Sequence, residues 1–341
     1  MSTNIPLEVL RERQALPLTD KIGLAKERIV EFGESFDWLV YLSLSGGIDS
    51  GVLAHIIEQV HPGLPFVYCN TGLEYPEINR HVARLKKLYN IHIIKPSMSF
   101  SAVLREYGWP IASKMTARGI KELRIPEEDR SNTYRLYDEG ITSEGQNASS
   151  YKVAQQWRFL VDAPFGVSNG CCEEMKHKPF YQYERETKRV GFVGIMADES
   201  QMREKTYLDS GCNAFDHKRP RSWPLAFWTR QDVLEYTQCY NVPYASVYGD
   251  IVRTDGGGLE TTGVRRTGCI FCLFGLHMEK SPNRIQQLAL THPKLWDYCM
   301  HKLGMSEVFK YVRDNAKPRL ANKFYAEPCA VSRELTLPGL E

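Results

Sequence analysis

A glycine-rich hexapeptide between two apolar runs most strongly constrains the fold of this chain. Residues 45–50 have the sequence Ser-Gly-Gly-Ile-Asp-Ser, after an apolar run at 38–44 and before another, at helical spacing, at 52–57. This order predicts a strand, a glycine turn and a helix start. Such a turn admits an anion close to the backbone, and the amides and dipole of the helix attract it. The candidate phosphate-binding residues are Ser45, Gly46, Gly47, Asp49 and Ser50.

The hexapeptide differs from the phosphate loop of ordinary kinases and GTPases. It has neither the lysine nor the spacing of the Walker A motif. A Gly-Gly-X-Asp-Ser sequence also makes a good turn followed by a helix cap. The residues of this loop alone therefore leave a purely structural turn as the alternative.

Strand and helix patterns alternate over the first hundred residues. We predict strands at 64–69 and 91–94 with a helix at 76–89 between them, and a later strand at 190–196. Such alternation predicts a parallel sheet with right-handed crossovers, whose ligands lie beyond the carboxyl ends of the strands. The predicted fold class is α/β, with a doubly wound, mainly parallel sheet and a helical, cysteine-bearing C-terminal elaboration.

Polar residues also follow the second predicted strand. Because this strand and the one before the glycine loop end at the same edge of the sheet, we expect both loops to converge on one nucleotide. The candidates in this second loop are Asn70, Thr71, Gly72 and Glu74.

A glycine loop cannot neutralise the charge of a nucleotide, so basic residues near the motifs are further candidates. Lys114, Arg203 and Arg265 are the best placed in sequence. Arginine offers a planar fork to phosphate or sulfate, which favours Arg203 and Arg265 over the lysine.

Composition excludes some classes of protein. The 341 residues carry 43 basic and 41 acidic side chains, a net charge of +2, so the overall charge does not indicate a nucleic-acid partner. No apolar run approaches the length of a membrane span, and the N-terminus does not resemble a signal peptide. We therefore expect a cytoplasmic protein without a membrane partner. Nine cysteines in such a chain indicate thiol, metal or redox chemistry.

Four of these cysteines form two pairs with metal-ligand character. Cys171 and Cys172 are adjacent, and Cys269 and Cys272 form a Cys-x-x-Cys turn about a hundred residues later. Structural zinc sites usually combine two spaced pairs, whereas an adjacent pair is unusual for tetrahedral zinc. Two plus two thiolates match the four ligands of a [4Fe-4S] cluster. Zinc remains the alternative metal.

The motifs together resemble those of a known family. The hexapeptide is similar to the SGGxDS signature of the PP-loop ATP pyrophosphatases, which include the reductases of phosphoadenylyl and adenylyl sulfate. Residues 70–77 and 194–200 resemble the second and a later nucleotide loop of that family, and the four cysteines resemble the cluster-binding pattern of its iron-sulfur branch. This resemblance implies an adenine nucleotide alpha hydrolase-like fold, a [4Fe-4S] cluster and a bound nucleotide, either ATP or an adenylyl sulfate.

The resemblance implies two kinds of chemistry. PP-loop enzymes commonly cleave ATP between its α and β phosphates and adenylate an acceptor, with Mg²⁺ bridging the leaving pyrophosphate; Asp49 would hold that ion. Cluster-bearing members of this kind resemble the sulfur-transfer proteins of DNA phosphorothioation and the tRNA thiolases. The implied partners are a sulfur donor such as a cysteine desulfurase and a nucleic-acid acceptor. We expect this ATP pyrophosphatase activity.

A sulfonucleotide reductase is the first alternative. Its nucleophile is a cysteine in a C-terminal Glu-Cys-Gly-Leu-His motif, and a thioredoxin-like reductant resolves the resulting S-sulfocysteine. Cys329 stands near the C-terminus, in the sequence Glu-Pro-Cys-Ala, without those neighbours. An incidental thiol is the other interpretation of this residue. The second alternative is a regulator that binds a nucleotide without turnover.

We predict three segments along the chain. An N-terminal helical segment spans residues 1–36, the PP-loop nucleotide-binding α/β domain spans 37–235, and a C-terminal region that completes the cluster site spans 236–341. The residues do not indicate an oligomeric state.

Overall fold

The protein divides into two compact units. The computed structural model describes residues 4–216 and 218–325. One unit, here called the sheet unit, comprises the chain up to Pro96 together with Lys178–Thr267. The other, the cysteine unit, comprises Ser97–His177 and the chain from Gly268 onward. These units do not follow the three predicted segments, because residues 97–177 group with the C-terminal region through backbone pairing of residues distant in sequence.

Ten short strands are present within the described ranges. In chain order they are β1 (Val40–Leu44), β2 (Phe66–Cys69), β3 (Ile91–Ile94), β4 (Ile111–Ala112), β5 (Val190–Val193), β6 (Asn213–Ala214), β7 (Arg221–Ser222), β8 (Ile251–Arg253), β9 (Leu259–Thr261) and β10 (Leu273–Phe274).

Helices account for most of the remaining regular structure. The α-helices are α1 (Leu7–Ala15), α2 (Leu18–Ser35), α3 (Ile48–Val60), α4 (Pro76–Leu85), α5 (Phe100–Tyr107), α6 (Lys114–Leu123), α7 (Asn132–Asp138), α8 (Gly170–Cys172), α9 (Lys178–Thr187), α10 (Gln201–Ser210), α11 (Arg230–Cys239), α12 (Arg284–Thr291), α13 (Pro293–Asp297), α14 (Met305–Asn315) and α15 (Pro318–Ala321). In the part of the chain that the structure describes, no helix combines the length and the apolar character needed to cross a bilayer.

A six-stranded sheet forms the core of the sheet unit. Its strand order is β3-β2-β1-β5-β7-β6, and every neighbouring pair is parallel except β6 with β7. Leu44 at the end of β1 pairs with Tyr68 of β2, and Ser43 pairs with Val193 at the end of β5. The loops after these three strands therefore lie at one edge. The predicted α/β fold with a mainly parallel sheet is confirmed.

The first strand starts two residues later than predicted. Asp37 and Trp38 adopt the left-handed backbone conformation, with φ of 49° and 56°, and the Trp38 amide donates to the Gly33 carbonyl at 2.7 Å. The Trp38 ring packs on Gly33, which has no side chain to exclude it. The chain therefore turns tightly out of α2 before β1 begins at Val40.

The amphipathic N-terminal pattern forms α1 and α2. Leu10 of α1 and Ala25, Ile29 and Phe32 of α2 are fully buried. Lys21 on the same helix is also buried, with only 2% of its surface exposed. A buried lysine requires a charged partner, and the Lys21 ammonium group donates to both carboxylate oxygens of Asp232 at 2.7 Å.

Candidate functional site

The glycine loop forms the predicted connection between β1 and α3. Gly46 has a φ of +76°, and a Cβ there would lie 2.7 Å from Cγ2 of Ile78 on α4. Gly47 is the N-cap of α3. A Cβ on Gly47 would lie 3.0 Å from the Tyr248 hydroxyl oxygen. Gly46 therefore requires glycine for its backbone conformation and close packing, whereas at Gly47 a larger residue would press against the Tyr248 hydroxyl.

The two serines of the loop differ in exposure. Ser50 is buried; its hydroxyl donates to the Gly47 carbonyl at 3.0 Å and accepts from the Ser45 amide at 3.2 Å. Ser45 is exposed, and its hydroxyl accepts from the Gly47 amide at 3.2 Å. The two hydroxyls are 2.9 Å apart, so both serines hold the shape of the loop. Of the two predicted phosphate donors, Ser45 is the more exposed residue.

The second predicted loop follows β2 and is closed by its own hydrogen bonds. The Thr71 amide and hydroxyl donate to the Glu74 carboxylate at 3.1 and 2.6 Å. The Gly72 amide donates to the Asn70 side-chain oxygen at 3.1 Å. The parallel pairing of β1 with β2 places this loop at the same sheet edge as the glycine loop.

The third predicted loop follows β5 and packs directly on the first. A Cβ on Gly194 would lie 3.1 Å from Cα of Ser50, so the two backbones approach closely. Farther along, Glu199 is ion-paired with both Arg203 and Arg266, and its carboxylate accepts from the Met196 amide at 3.0 Å. Two guanidinium groups therefore meet at one carboxylate.

Arg265 stands apart from this ion-pair group. It is exposed, and within the described residues its side chain makes no hydrogen bond or ion pair. Arg266, the next residue, is the member of this dipeptide that reaches Glu199.

Sequence reasoning missed an arginine at the glycine loop. Arg230 begins α11, and its Nη1 donates to Oδ1 of Asp49 at 3.1 Å. Its backbone amide donates to Oδ2 of Asp198 at 3.2 Å. Burial raises the pKa of Asp49, while the positive charge of Arg230 opposes that shift. No local signal could have identified this pair, since 181 residues separate its members.

Two hydroxyl groups complete the surroundings of the loop. The hydroxyls of Tyr248 and Thr267 are 2.7 Å apart. Burial raises the pKa of Tyr248, and the charges of Asp49 and Arg230 also act on it. The wall beside Gly47 is therefore polar but uncharged.

The cysteine unit contains all four predicted cluster ligands, and one backbone segment holds both pairs in place. On one side the Trp109 amide donates to the Gly166 carbonyl at 2.7 Å, just before the segment that leads to Cys171 and Cys172. On the other side, Ile111–Ala112 (β4) pairs in parallel with Leu273–Phe274 (β10), which directly follows Cys272. Residues 108–112 thus join the two cysteine-bearing segments.

The four thiols lie close enough to influence each other's ionisation. The hydrogen bond to Cys172, burial, and the charges of Cys172, Cys272 and Cys269 raise the pKa of Cys171. Burial, with Cys269 and Cys172 acting in the same direction, raises the pKa of Cys272 to about 11. Within residues 4–216 and 218–325, however, no three His, Cys, Asp or Glu side chains are arranged to hold a metal ion.

Lys114 lies with the cysteines in this unit. The hydrogen bond from Cys171 lowers the pKa of Cys172 against burial, and the charges of Lys114, Lys176 and His177 add to that lowering. Lys114 is the first residue of α6, whose N-cap Ser113 follows Ala112, a buried residue with a φ of +68°. The lysine predicted to contact the nucleotide therefore acts on Cys172.

Arg284, which the sequence analysis did not identify, holds the Cys-x-x-Cys loop. Its guanidinium donates to the carbonyls of Cys272 at 3.3 Å and Phe274 at 3.0 Å. The same group donates through Nε to Glu279 at 2.6 Å. Cys329 lies outside the described residues, so its role as a nucleophile stays a prediction.

Substituting Lys114 tests this electrostatic contact. We expect Lys114→Met to raise the pKa of Cys172, because the variant removes a positive charge that stabilises the thiolate. In protein freed of metal by chelation, the pH profile of Cys172 alkylation, which follows a pKa lowered to about 5, should move to higher pH. The control is Lys121→Met, two turns along the same helix. An identical alkylation profile in the Lys114 variant would contradict the assignment.

The fold and its loops define an α/β protein with a mainly parallel sheet and a glycine loop after its first strand. The model of the phosphoadenosine phosphosulfate reductase domain matches residues 39–124 and 127–273, more than half of the chain. The match includes the glycine loop and all four paired cysteines. The chain therefore belongs to the phosphoadenosine phosphosulfate reductase family.

The similar curated proteins are distant relatives. The phosphoadenosine 5′-phosphosulfate reductase of Xylella fastidiosa strain 9a5c is 22% identical over 203 residues, 60% of this chain and 64% of that protein. The reductase of Xanthomonas euvesicatoria is 22% identical over 205 residues, with 60% and 63% covered. The chain thus spans somewhat less than two thirds of the length of these relatives.

Two solved structures are similar over much of the chain. The phosphoadenylyl-sulfate reductase of Candida auris, in a phosphate complex, is 14% identical with a TM-score of 0.38 and covers 72% of this chain and 92% of its own. The U34-tRNA thiolase NcsA of Methanococcus maripaludis, with its [4Fe-4S] cluster, is 15% identical with a TM-score of 0.35 and coverage of 84% and 79%. Because both TM-scores are below 0.5, neither likeness supports a conclusion about this chain.

Proposed function

We propose that this protein is an ATP pyrophosphatase that adenylates an acceptor for sulfur transfer, as in DNA phosphorothioation. The observation that carries the proposal is the glycine loop at the N-terminus of α3, with Asp49 and Arg230 beside it. Orphan amides, a helix dipole and a guanidinium at one place suit the phosphates of a nucleotide. Members of this family take an adenine nucleotide, as the name of its domain states.

The proposed reaction is a displacement at the α-phosphorus of ATP. An acceptor oxygen forms a bond to that phosphorus, the bond to the bridging oxygen of the β-phosphate breaks, and pyrophosphate leaves with that oxygen. The loop backbone orients the phosphates, and Arg203 and Arg265 are the proposed charge clamp. A sulfur nucleophile then displaces AMP from the adenylated acceptor.

Mg²⁺ fits the donors at the loop. This ion is usually bound by one or two carboxylates together with substrate phosphates. Asp49 supplies such a carboxylate; burial raises its pKa, and the positive charge of Arg230 opposes that rise. We assign Asp49 as the ligand of this ion; the ion supplies charge neutralisation on the leaving pyrophosphate when bound.

We also propose an iron-sulfur cluster in the cysteine unit. Four thiols that act on each other's ionisation are the donor set that such clusters use. The proposed ligands are Cys171, Cys172, Cys269 and Cys272. When bound, the cluster supplies sulfur or electron transfer. Around it, Lys114 stabilises the Cys172 thiolate and Arg284 fixes the carbonyls of the Cys-x-x-Cys loop. The proposed partners are a sulfur donor such as a cysteine desulfurase and a nucleic-acid acceptor.

Sulfonucleotide reduction is the second candidate function. The names of the curated relatives favour it, since they are phosphoadenosine 5′-phosphosulfate reductases. In that case Cys329 would be the nucleophile and a thioredoxin-like protein the reductant. The C-terminal sequence Glu-Pro-Cys-Ala weighs against this candidate because the glycine, leucine and histidine that follow the reductase cysteine are missing.

Parallel assays of three nucleotides distinguish the candidates. Protein purified without oxygen should contain about four irons with matching sulfide and should release AMP and pyrophosphate from ATP in the presence of Mg²⁺. Asp49→Asn should reduce pyrophosphate release by at least about 10²-fold, because the variant removes a fixed charge at the leaving group. The control is Asp37→Asn. Asp37 precedes β1, whereas the glycine loop follows the other end of that strand, and asparagine tolerates the positive φ of Asp37.

Each other outcome identifies another function. Sulfite from adenylyl sulfate or phosphoadenylyl sulfate, without pyrophosphate from ATP, would establish the reductase. Nucleotide binding without any product, with a sulfur donor and DNA or tRNA present, would establish the regulator. Zinc in place of iron would overturn the cluster.

A further inference from the structure

Arg230 has an unsatisfied hydrogen-bond donor at the glycine loop. Its Nη1 is bonded to Asp49 at 3.1 Å, but its Nη2 is buried and has no hydrogen-bond partner within the described residues. Only 19% of its side chain is exposed. A buried guanidinium nitrogen without a partner is costly, and native proteins rarely contain one unless a ligand or ordered water satisfies it.

The charge around Arg230 indicates the nature of the missing partner. Asp49 lies in the first turn of α3, so the Asp49–Arg230 pair stands at the positive end of that helix dipole. A cation is unfavourable there unless anions compensate it. Asp49 and Asp198 both accept hydrogen bonds from Arg230, through its Nη1 and its backbone amide, and neither bonds to Nη2. The free amides at the start of α3 attract an anion to the same place, and an anionic oxygen held there would satisfy Nη2.

The position of Arg230 is rigidly defined. Thr229 and Asp232 form a capping box at the start of α11, so the backbone at Arg230 is held on both sides. Asp232 in turn accepts from the buried ammonium group of Lys21 at 2.7 Å through both carboxylate oxygens. A preorganised guanidinium loses less entropy when it binds a phosphate than a free surface arginine does.

We propose that Arg230 is a polyphosphate ligand, with Nη2 donating to a phosphate oxygen of the nucleotide while Nη1 orients the Asp49 carboxylate. This inference rests on the proposed function only for the identity of the nucleotide. Arg230 thereby adds a side-chain contact opposite the backbone amides of residues 45–50. A single guanidinium that holds both the carboxylate and the phosphate sets the distance between them.

Binding measurements separate a phosphate ligand from a structural residue. The probes are ATP, inorganic pyrophosphate and adenosine, titrated calorimetrically into the full chain. Arg230→Gln should weaken the binding of ATP and pyrophosphate by at least about tenfold, the effect of losing one charge-assisted hydrogen bond. Adenosine affinity should stay unchanged, since adenosine has no phosphate. Arg230→Lys keeps the positive charge but loses the planar pair of donors of the guanidinium. Its affinity for pyrophosphate should therefore lie between those of the unsubstituted protein and Arg230→Gln.

The controls separate this inference from the proposed reaction. Arg28→Gln removes an exposed arginine of the same unit and should leave all three affinities unchanged. Unaltered pyrophosphate affinity in Arg230→Gln, an equal loss of adenosine affinity, or no binding of ATP and pyrophosphate by the unsubstituted protein would each overturn the assignment. If Arg230→Gln fails to fold, the comparison of Arg230→Lys with the unsubstituted protein decides. Arg230-dependent phosphate binding without AMP formation would refute the proposed reaction and leave this inference standing.

Discussion

Replacing Lys21 with methionine is expected to lower the free energy of unfolding by about 3–5 kcal/mol. The ammonium group donates to both oxygens of Asp232 at 2.7 Å and to the Gln14 carbonyl at 2.7 Å. Methionine fills a similar volume but leaves a buried carboxylate without its counter-charge. Breaking one side of a buried ion pair is far more costly than removing both partners.

Chemical denaturation of the variant measures this effect. The matched control is Arg28→Met on the same helix, whose exposed pair with Glu31 contributes at most about 0.5 kcal/mol. The double variant Lys21→Met/Asp232→Asn should recover part of the loss, because no net charge then remains buried. Equal unfolding midpoints for Lys21→Met and Arg28→Met would show that the buried pair does not stabilise the sheet unit.

Replacing Gly108 with alanine is expected to disrupt the cysteine unit. Gly108 has a φ of +85°, and a Cβ there would overlap the carbonyl carbon and oxygen of Gly166. These are backbone atoms, which cannot rotate away as a side chain can. We expect destabilisation by at least about 4 kcal/mol, the range in which single substitutions disrupt a structure. The variant should also lose most of the iron of the proposed cluster, since residues 108–112 join the two cysteine pairs.

Gly304→Ala provides the matched control for this substitution. Gly304 belongs to the same unit and has nearly the same φ, +84°, but a Cβ there would have no neighbour within 4 Å. This variant should lose only about 1–2 kcal/mol from the left-handed backbone and should keep its iron. Thermal unfolding and iron analysis of both proteins test the prediction. Normal iron content in Gly108→Ala would show that the close backbone contact between Gly108 and Gly166 is not needed to bring the two cysteine pairs together.

Local patterns identified much of the fold. Apolar runs with glycine and proline punctuation predicted β1, α3, β2, α4, β3 and β5, and their order predicted the mainly parallel sheet. The largest errors lie at element boundaries. Trp38 leaves the strand because its ring packs on Gly33, and β5 ends at Val193, where the neighbouring Gly194 packs on the backbone of Ser50. The end of β5 thus depends on a residue distant in sequence, which a local pattern does not show, whereas the start of β1 depends on Gly33 in the helix just before it.

The candidate sites divide in the same way. Spacing and residue type indicated the glycine loop, the loop after β2 and the four cysteines, because each depends on neighbours in sequence. Tertiary contacts alone identified Arg230 at Asp49, and they placed Lys114 beside Cys172. A contact between residues 181 positions apart produces no periodicity or motif that a sequence could display.

The family and the strand–glycine turn–helix connection at residues 45–50 follow from the chain's residues, since such a turn has the same local chemistry wherever it occurs. The fold decides which side chains surround that turn and which segments unite the cysteines. Those contacts depend on strand order and on the backbone pairing of residues 108–112 with both cysteine-bearing segments. Hydrogen bonds between distant parts of the chain form only when the whole unit folds, so its tertiary structure decides them.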